Sequence, residues 1–76
     1  MKSEKELFNL AKSYVMLSEE FKKELPEHEV DEIKIELEKI RDVLLKKRYD
    51  VDKFVEYQQL YKEMSISEYF EFIKTL

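Results

Sequence analysis

His28 is the only histidine in this chain of 76 residues, and it lies in an acidic stretch with Glu29, Asp31 and Glu32. An imidazole beside carboxylates has the ligand types of a cation site, and an imidazole is also the usual base for a catalytic nucleophile. Both sites need further converging groups, but the sequence has no cysteine, no HExxH motif and no Glu-x-x-His pair. We therefore interpret His28 as part of a solvated turn. The sequence predicts no enzyme, no catalytic residue, no metal site and no cofactor.

The segment LYKEMSISEYFEFI, residues 60–73, has the pattern of a helix-turn-helix with a short turn at Met64 and Ser65. A recognition helix offers basic and amide side chains to the DNA groove. The second helix of this segment would instead expose one lysine among acidic and neutral groups: Ser67, Glu68, Glu71 and Lys74. The net charge of −4 also disfavours phosphate contacts. A helix-turn-helix-like regulator that binds nucleic acid therefore stays an alternative rather than the first interpretation.

Aromatic side chains are concentrated in the C-terminal part of the chain, where seven of the ten Tyr and Phe residues follow position 48. Each large aromatic side chain buries about 150–250 Å² when it is covered, and a chain this short has little interior to offer. Interfaces between proteins use such side chains as anchors. We therefore predict a small non-enzymatic module that occupies a partner's surface. Its predicted partner-binding residues are Tyr57, Tyr61, Tyr69, Phe70 and Phe72.

The identity of the partner is left open by the sequence. Another protein is the first interpretation, and a second copy of the chain in a homodimeric helical bundle is the alternative, since a two-fold axis would cover the same apolar area. Aromatic residues at helical spacing also build cores. The alternative for several of these five residues is therefore a place in the core.

The elements that must position these aromatics are helices. Glycine is absent and Pro26 is the only proline, so the tight turns of a small β-protein are not supplied. Apolar residues recur at spacings of three and four, first over residues 7–25 and then over residues 30–44. The sequence predicts one all-α domain, residues 1–76, folded as a small antiparallel four-helix bundle. Two long helices, at about 4–25 and 29–48, precede two short ones at about 51–64 and 66–76.

Capping residues indicate where the helices begin. Ser3 with Glu6, and Ser65 with Glu68, have the spacing of capping boxes, and Asp50 is a candidate N-cap. Pro26 is expected to close the first helix. The apolar side chains of the fourth helix span about 160° of its circumference. Either this helix lies centrally among the other three, or part of its surface contacts another molecule.

Two stretches resemble segments of a known family. LLKKRYDVD, residues 44–52, is similar to the basic-aromatic-acidic junction that precedes the last two helices of the enterocin-A/pediocin-like bacteriocin immunity proteins of Gram-positive bacteria. SISEYFEFIKTL, residues 65–76, resembles their last helix. The resemblance implies a cytoplasmic protein that protects its host by engaging a sugar-transporter–bacteriocin complex at the membrane. We take these immunity proteins as one example of a broader class of proteins that act by occupying a surface, which also includes small helical inhibitors, antitoxins and phage-encoded antagonists. The sequence has no apolar run of membrane-spanning length.

Overall fold

The structure, a computed structural model, describes residues 3–76. These residues form four α-helices and no strand, which confirms the all-α class. The helices are α1 (Glu4–Phe21), α2 (Glu27–Lys46), α3 (Val51–Glu63) and α4 (Ile66–Lys74). Residues 1 and 2 of the predicted domain lie outside the described part. No helix within residues 3–76 combines the length and the apolar character that crossing a membrane requires.

Helix α1 ends at Phe21, so the predicted end at residue 25 is wrong. Lys22 is the C-cap, and its amide donates to the carbonyls of Glu19 and Glu20. Pro26 restricts the residue before it to an extended conformation, and the chain leaves the helix four residues earlier to turn back. Pro26 itself is the N-cap of α2, and its carbonyl accepts hydrogen bonds from Glu29 N at 3.0 Å and Val30 N at 3.2 Å.

Helix α2 ends at Lys46, two residues before the predicted end, in a Schellman motif. The amide of Tyr49 donates to Leu44 O at 3.0 Å, and the amide of Arg48 donates to Leu45 O at 3.3 Å. Arg48 has a φ of 54°, the left-handed conformation that glycine adopts most easily. Leu44 and Tyr49 are both buried, as the motif's hydrophobic contact requires. Sequence reasoning missed this motif because arginine occupies the usual glycine position.

The starts of α3 and α4 agree with the predicted caps. Asp50 accepts hydrogen bonds from Asp52 N at 2.9 Å and Lys53 N at 3.4 Å. Ser65 and Glu68 form the complete capping box, with both hydrogen bonds at 3.2 Å. The turn at residues 64 and 65 is therefore fixed by local chemistry. Helix α4 ends at Lys74, two residues before the predicted end.

At the start of α1 only half of the predicted capping box forms. Ser3 Oγ accepts from Glu6 N at 3.3 Å. The Glu6 carboxylate binds Lys47 and Tyr49 instead of the Ser3 amide, which donates to the Tyr49 hydroxyl at 3.1 Å. The prediction of a complete box at Ser3 is wrong, because the Glu6 carboxylate that should accept from the Ser3 amide is used by Lys47 and Tyr49.

Helix α1, not α4, is central in the fold, and it packs against both α3 and α2. Phe8 of α1 is fully buried. Its ring lies within 4.8–6.3 Å of four rings from α3 and α4, measured between centroids: those of Tyr57, Tyr61, Tyr69 and Phe72. Helix α4 has no buried residue. The alternative that placed α4 among the other helices is therefore wrong.

The molecule is flat, with extents of 39 × 30 × 17 Å. Its radius of gyration is 13.2 Å, against about 11 Å for a compact domain of 76 residues. Its accessible surface is 5847 Å², against about 5000 Å² for a compact monomer of this mass. Ile66 and Phe70, on the outer side of α4, are exposed.

Candidate docking groove

A groove of about 690 Å³ lies between the middle of α1 and the junction of α3 with α4. We call it the α1/α4 groove. Its apolar lining is Val15, Tyr61, Met64, Ile66, Tyr69 and Phe70, and its charged residues are Lys12, Glu19 and Lys62. The Ser65 capping box sets the angle between α3 and α4, and this angle positions one wall of the groove against α1.

The two most exposed apolar side chains of α4 line this groove. Ile66 is 77% exposed and Phe70 is 54% exposed, and the i,i+4 spacing places them side by side along the helix. The opposite side of α4 carries Phe72, which packs against Phe8 with ring centroids 4.8 Å apart. Helix α4 thus has an inner apolar face that holds it to the fold and a separate outer ridge of Ile66 and Phe70. Neither ridge residue belongs to the core cluster, and Phe70 reaches it through Tyr69, with ring centroids 5.5 Å apart.

A single lysine sits over the aromatic floor of the groove. Lys12 Nζ donates a 2.8 Å hydrogen bond to the Tyr69 hydroxyl and lies 4.4 Å from the centroid of the Tyr69 ring. The Tyr69 ring stacks on buried Phe8, with centroids 6.0 Å apart. Lys12 takes part in none of the ion pairs found among residues 3–76. Its ammonium is therefore held in place by a neutral partner.

The structure separates the five predicted partner-binding residues. Tyr61, Tyr69 and Phe70 all line the α1/α4 groove. Phe72 is half-buried against Phe8 on the other side of α4. Tyr57 is 5% exposed and belongs to the core, where it offers no surface to a partner. Its hydroxyl donates a 2.6 Å hydrogen bond to the Glu4 carboxylate.

Sequence reasoning missed Lys12, Val15 and Ile66 as groove residues. Ile66 had a usable signal, because it lies one helical turn before Phe70 and directly after the N-cap Ser65. Lys12 and Val15 belong to α1, whose position beside α4 is a tertiary feature. No spacing in the sequence indicates that contact.

A second polar cluster joins the start of α1 to the α2–α3 connection. Lys47 Nζ lies 2.8 Å from both carboxylate oxygens of Glu6, and the Tyr49 hydroxyl also donates to Glu6. The hydrogen bond from Lys47, and then that from Tyr49, lowers the pKa of Glu6. The hydrogen bond between Lys47 and Glu6 also raises the pKa of Lys47. Burial, and then the hydrogen bond to Glu6, raises the pKa of Tyr49. The charges of Glu6 and Lys47 are therefore paired with each other, and the cluster links α1 to the α2–α3 connection.

The acidic stretch around His28 does not converge on a site. His28, Asp31 and Glu32 are exposed at the start of α2. In the part of the chain that the structure describes, no three His, Cys, Asp or Glu side chains are grouped closely enough to hold a metal ion.

Two of the exposed charged side chains of α4 form an ion pair with each other, since Lys74 Nζ lies 3.4 Å from Glu71 Oε1.

Comparison of the chain with family models, curated proteins and solved structures found no match.

Proposed function

We propose that this protein is a small non-enzymatic binding module that acts by occupying the surface of another protein through the α1/α4 groove. The observation that carries the proposal is the exposed pair Ile66 and Phe70 at the edge of an aromatic groove. An exposed phenylalanine next to a concave apolar surface is the arrangement of an interface anchor. The proposed mechanism is steric, because the exposed apolar side chains Ile66 and Phe70 are the parts of the groove that a docked partner would cover.

The flat shape supports the same proposal. The accessible surface exceeds that of a compact monomer of this mass by about 800 Å², so the chain leaves more surface uncovered than a compact domain does. The apolar ridge of α4 and the groove beside it supply the central part of such an interface. The surrounding charges, among them Lys62 and Glu19, supply the polar rim.

Three finer statements are part of the proposal. The protein belongs to the functional class of inhibitors, immunity proteins and antitoxins, in which binding alone produces the effect. It acts in the cytoplasm, in keeping with its lack of cysteine. Its helices are arranged as an antiparallel bundle in which α1 is shared by α2 and α3. The contacts of α1 with both helices support this arrangement.

The experiment compares wild-type protein with Phe70→Ser and with a matched control, Ile35→Ser, in capture from lysate of the source cell. Ile35 is 52% exposed, nearly the same as Phe70, but lies on α2 and does not line the groove. We expect one partner to be retained by the wild type and by Ile35→Ser and lost with Phe70→Ser. Circular dichroism verifies that both variants are folded.

The captured partner is then purified and titrated into each protein by calorimetry. A Phe70 that anchors the interface should weaken binding at least tenfold when it is truncated. Equal binding by all three proteins would show that the partner does not bind at the groove. Failure of every captured protein to bind in purified form would remove the binding function itself.

A further inference from the structure

We infer that the occupant of the α1/α4 groove is an amphipathic helix that carries a carboxylate beside its apolar anchors, so that the carboxylate pairs with Lys12. This inference rests on the proposed function and names the chemistry of the partner. It follows from the size of the groove, from the helices that line it and from the charge that the groove presents.

The groove accepts several side chains at once. Its volume of about 690 Å³ lies within the range of about 300–1,000 Å³ that is typical of pockets filled by small ligands. Its walls come from three helices, with α1 on one side and the end of α3 and the outer ridge of α4 on the other. A helix docked in such a groove inserts side chains at positions i, i+3 or i+4, and i+7.

Backbone chemistry favours a helix over an extended peptide. Within residues 3–76 there is no strand and so no sheet edge on which an extended segment could form a ladder of hydrogen bonds. Along the groove, the backbone groups of α1 are used within their own helix, and at the start of α4 the amides of Ser65 and Glu68 are taken by the capping box. An extended peptide would leave its own backbone groups unpaired against an apolar lining, at a cost for each group. A helix satisfies these groups internally.

The groove presents a fixed positive charge. Lys12 gives one N–H to the Tyr69 hydroxyl at 2.8 Å, so two of its three donors remain for a ligand. Lys62 also lies on the groove wall, whereas Glu19 is the only acidic residue of the lining. The whole chain carries a net charge of −4. A locally basic groove on an acidic protein selects an acidic ligand and orients it.

A second copy of the chain fits the groove less well. In a two-fold dimer the same surface of each copy faces the other. The outer ridge of one copy would then face the groove of the other, so shape alone does not exclude a dimer. Each lining, however, carries Lys12 and Lys62 against the single acidic residue Glu19, and two such surfaces repel one another.

The test is a selection of random 16-residue peptides displayed on phage against immobilised wild-type protein. We expect enrichment of sequences with large apolar residues at i, i+3 or i+4, and i+7 and with Asp or Glu on an adjoining position. Synthetic versions of the enriched peptides should bind with at least tenfold loss in Phe70→Ser and with about tenfold loss in Lys12→Glu. A second selection on Lys12→Glu should enrich Lys or Arg at the position that was acidic. Lys34→Glu, a charge reversal of an exposed lysine on α2, is the matched control and should bind like the wild type.

The outcomes separate the inference from the proposed function. Peptides that depend on Phe70 but are proline-rich, extended or free of acidic residues overturn the inference and leave the binding function intact. A lack of any peptide that depends on Phe70 overturns both. Sedimentation equilibrium of the wild type and of Phe70→Ser completes the test, since a dimer that Phe70→Ser dissociates makes a second copy the occupant and overturns the inference.

Discussion

Replacing Tyr57 by Phe tests whether its hydroxyl ties α3 to the start of α1. The side chain is 5% exposed, and its hydroxyl donates a 2.6 Å hydrogen bond to Glu4. Burial, and then this hydrogen bond, raises the pKa of Tyr57 from 10.0 to about 12. A raised pKa means that folding favours the neutral phenol. The associated stabilisation is therefore complete below pH 10 and is lost as the pH rises from 10 to about 12.

The magnitude follows from the two pKa values. One pKa unit corresponds to about 1.4 kcal/mol, so the wild type should lose about 1.4 kcal/mol relative to Tyr57→Phe between neutral pH and about pH 11. Near pH 7 the wild type should be the more stable protein by about 1 kcal/mol, the usual contribution of one hydrogen bond. The two stability curves should therefore cross near pH 11.

Urea unfolding followed by circular dichroism, at several pH values and constant ionic strength, measures this difference. Glu4→Gln is the control, because it removes the carboxylate and keeps the buried phenol. Since burial is the larger cause of the raised pKa, Glu4→Gln should retain most of the pH dependence that Tyr57→Phe abolishes. A difference between wild type and Tyr57→Phe that stays constant from neutral to alkaline pH would refute the placement of Tyr57 in the core.

Three further predictions concern the fold, and urea unfolding measures each of them. Arg48→Gly should raise the free energy of unfolding by about 0.5–1 kcal/mol, because glycine relieves the left-handed conformation; an unchanged or lower value would contradict the Schellman motif. Phe8→Ala should cost about 3–5 kcal/mol, which is a large part of the about 4–11 kcal/mol expected for this chain length, and a cost below about 1 kcal/mol would contradict a central Phe8. Glu6→Gln should be less stable than the wild type at neutral pH, and this difference should vanish in acid. The lowered pKa of Glu6 gives a stabilisation that is present above its ordinary value of 4.5 and is lost as the pH falls, so a difference that persists in acid would contradict the Lys47 contact.

The features that sequence reasoning predicted well depend on neighbouring residues. The capping box of Ser65 and Glu68 and the cap at Asp50 need only three or four consecutive residues, and both form. The box at Ser3 fails in its second half because Lys47, 41 residues away from Glu6, provides a better partner for the carboxylate. Local patterns are overridden where a tertiary contact competes for the same group.

The candidate site was predictable in its residue types but not in its orientation. Tyr57 and Phe70 both belong to apolar arcs of short helices, and the sequence gives no reason to separate them. The structure separates them because α3 docks on α1 with Tyr57 inside, whereas α4 docks through Phe72 and leaves Phe70 outside. Which side of a broad apolar arc is buried depends on the position of α1, and that information is tertiary.

The core and the groove share one set of rings, which determines how the proposed function can be tested. Tyr69 stacks on Phe8 beneath and supports Lys12 above, so changing it would alter the fold and the site together. Phe70 contacts Tyr69, with centroids 5.5 Å apart, but is itself half exposed and outside the core cluster. Because Phe70 is 54% exposed, the fold covers a little under half of its side chain, and losing that area costs about 2 kcal/mol. Phe70→Ser should therefore stay folded, with a free energy of unfolding within about 2 kcal/mol of the wild type, while it weakens docking at least tenfold. A variant that unfolds instead would mean that this side of α4 is needed to hold the helix on Phe8.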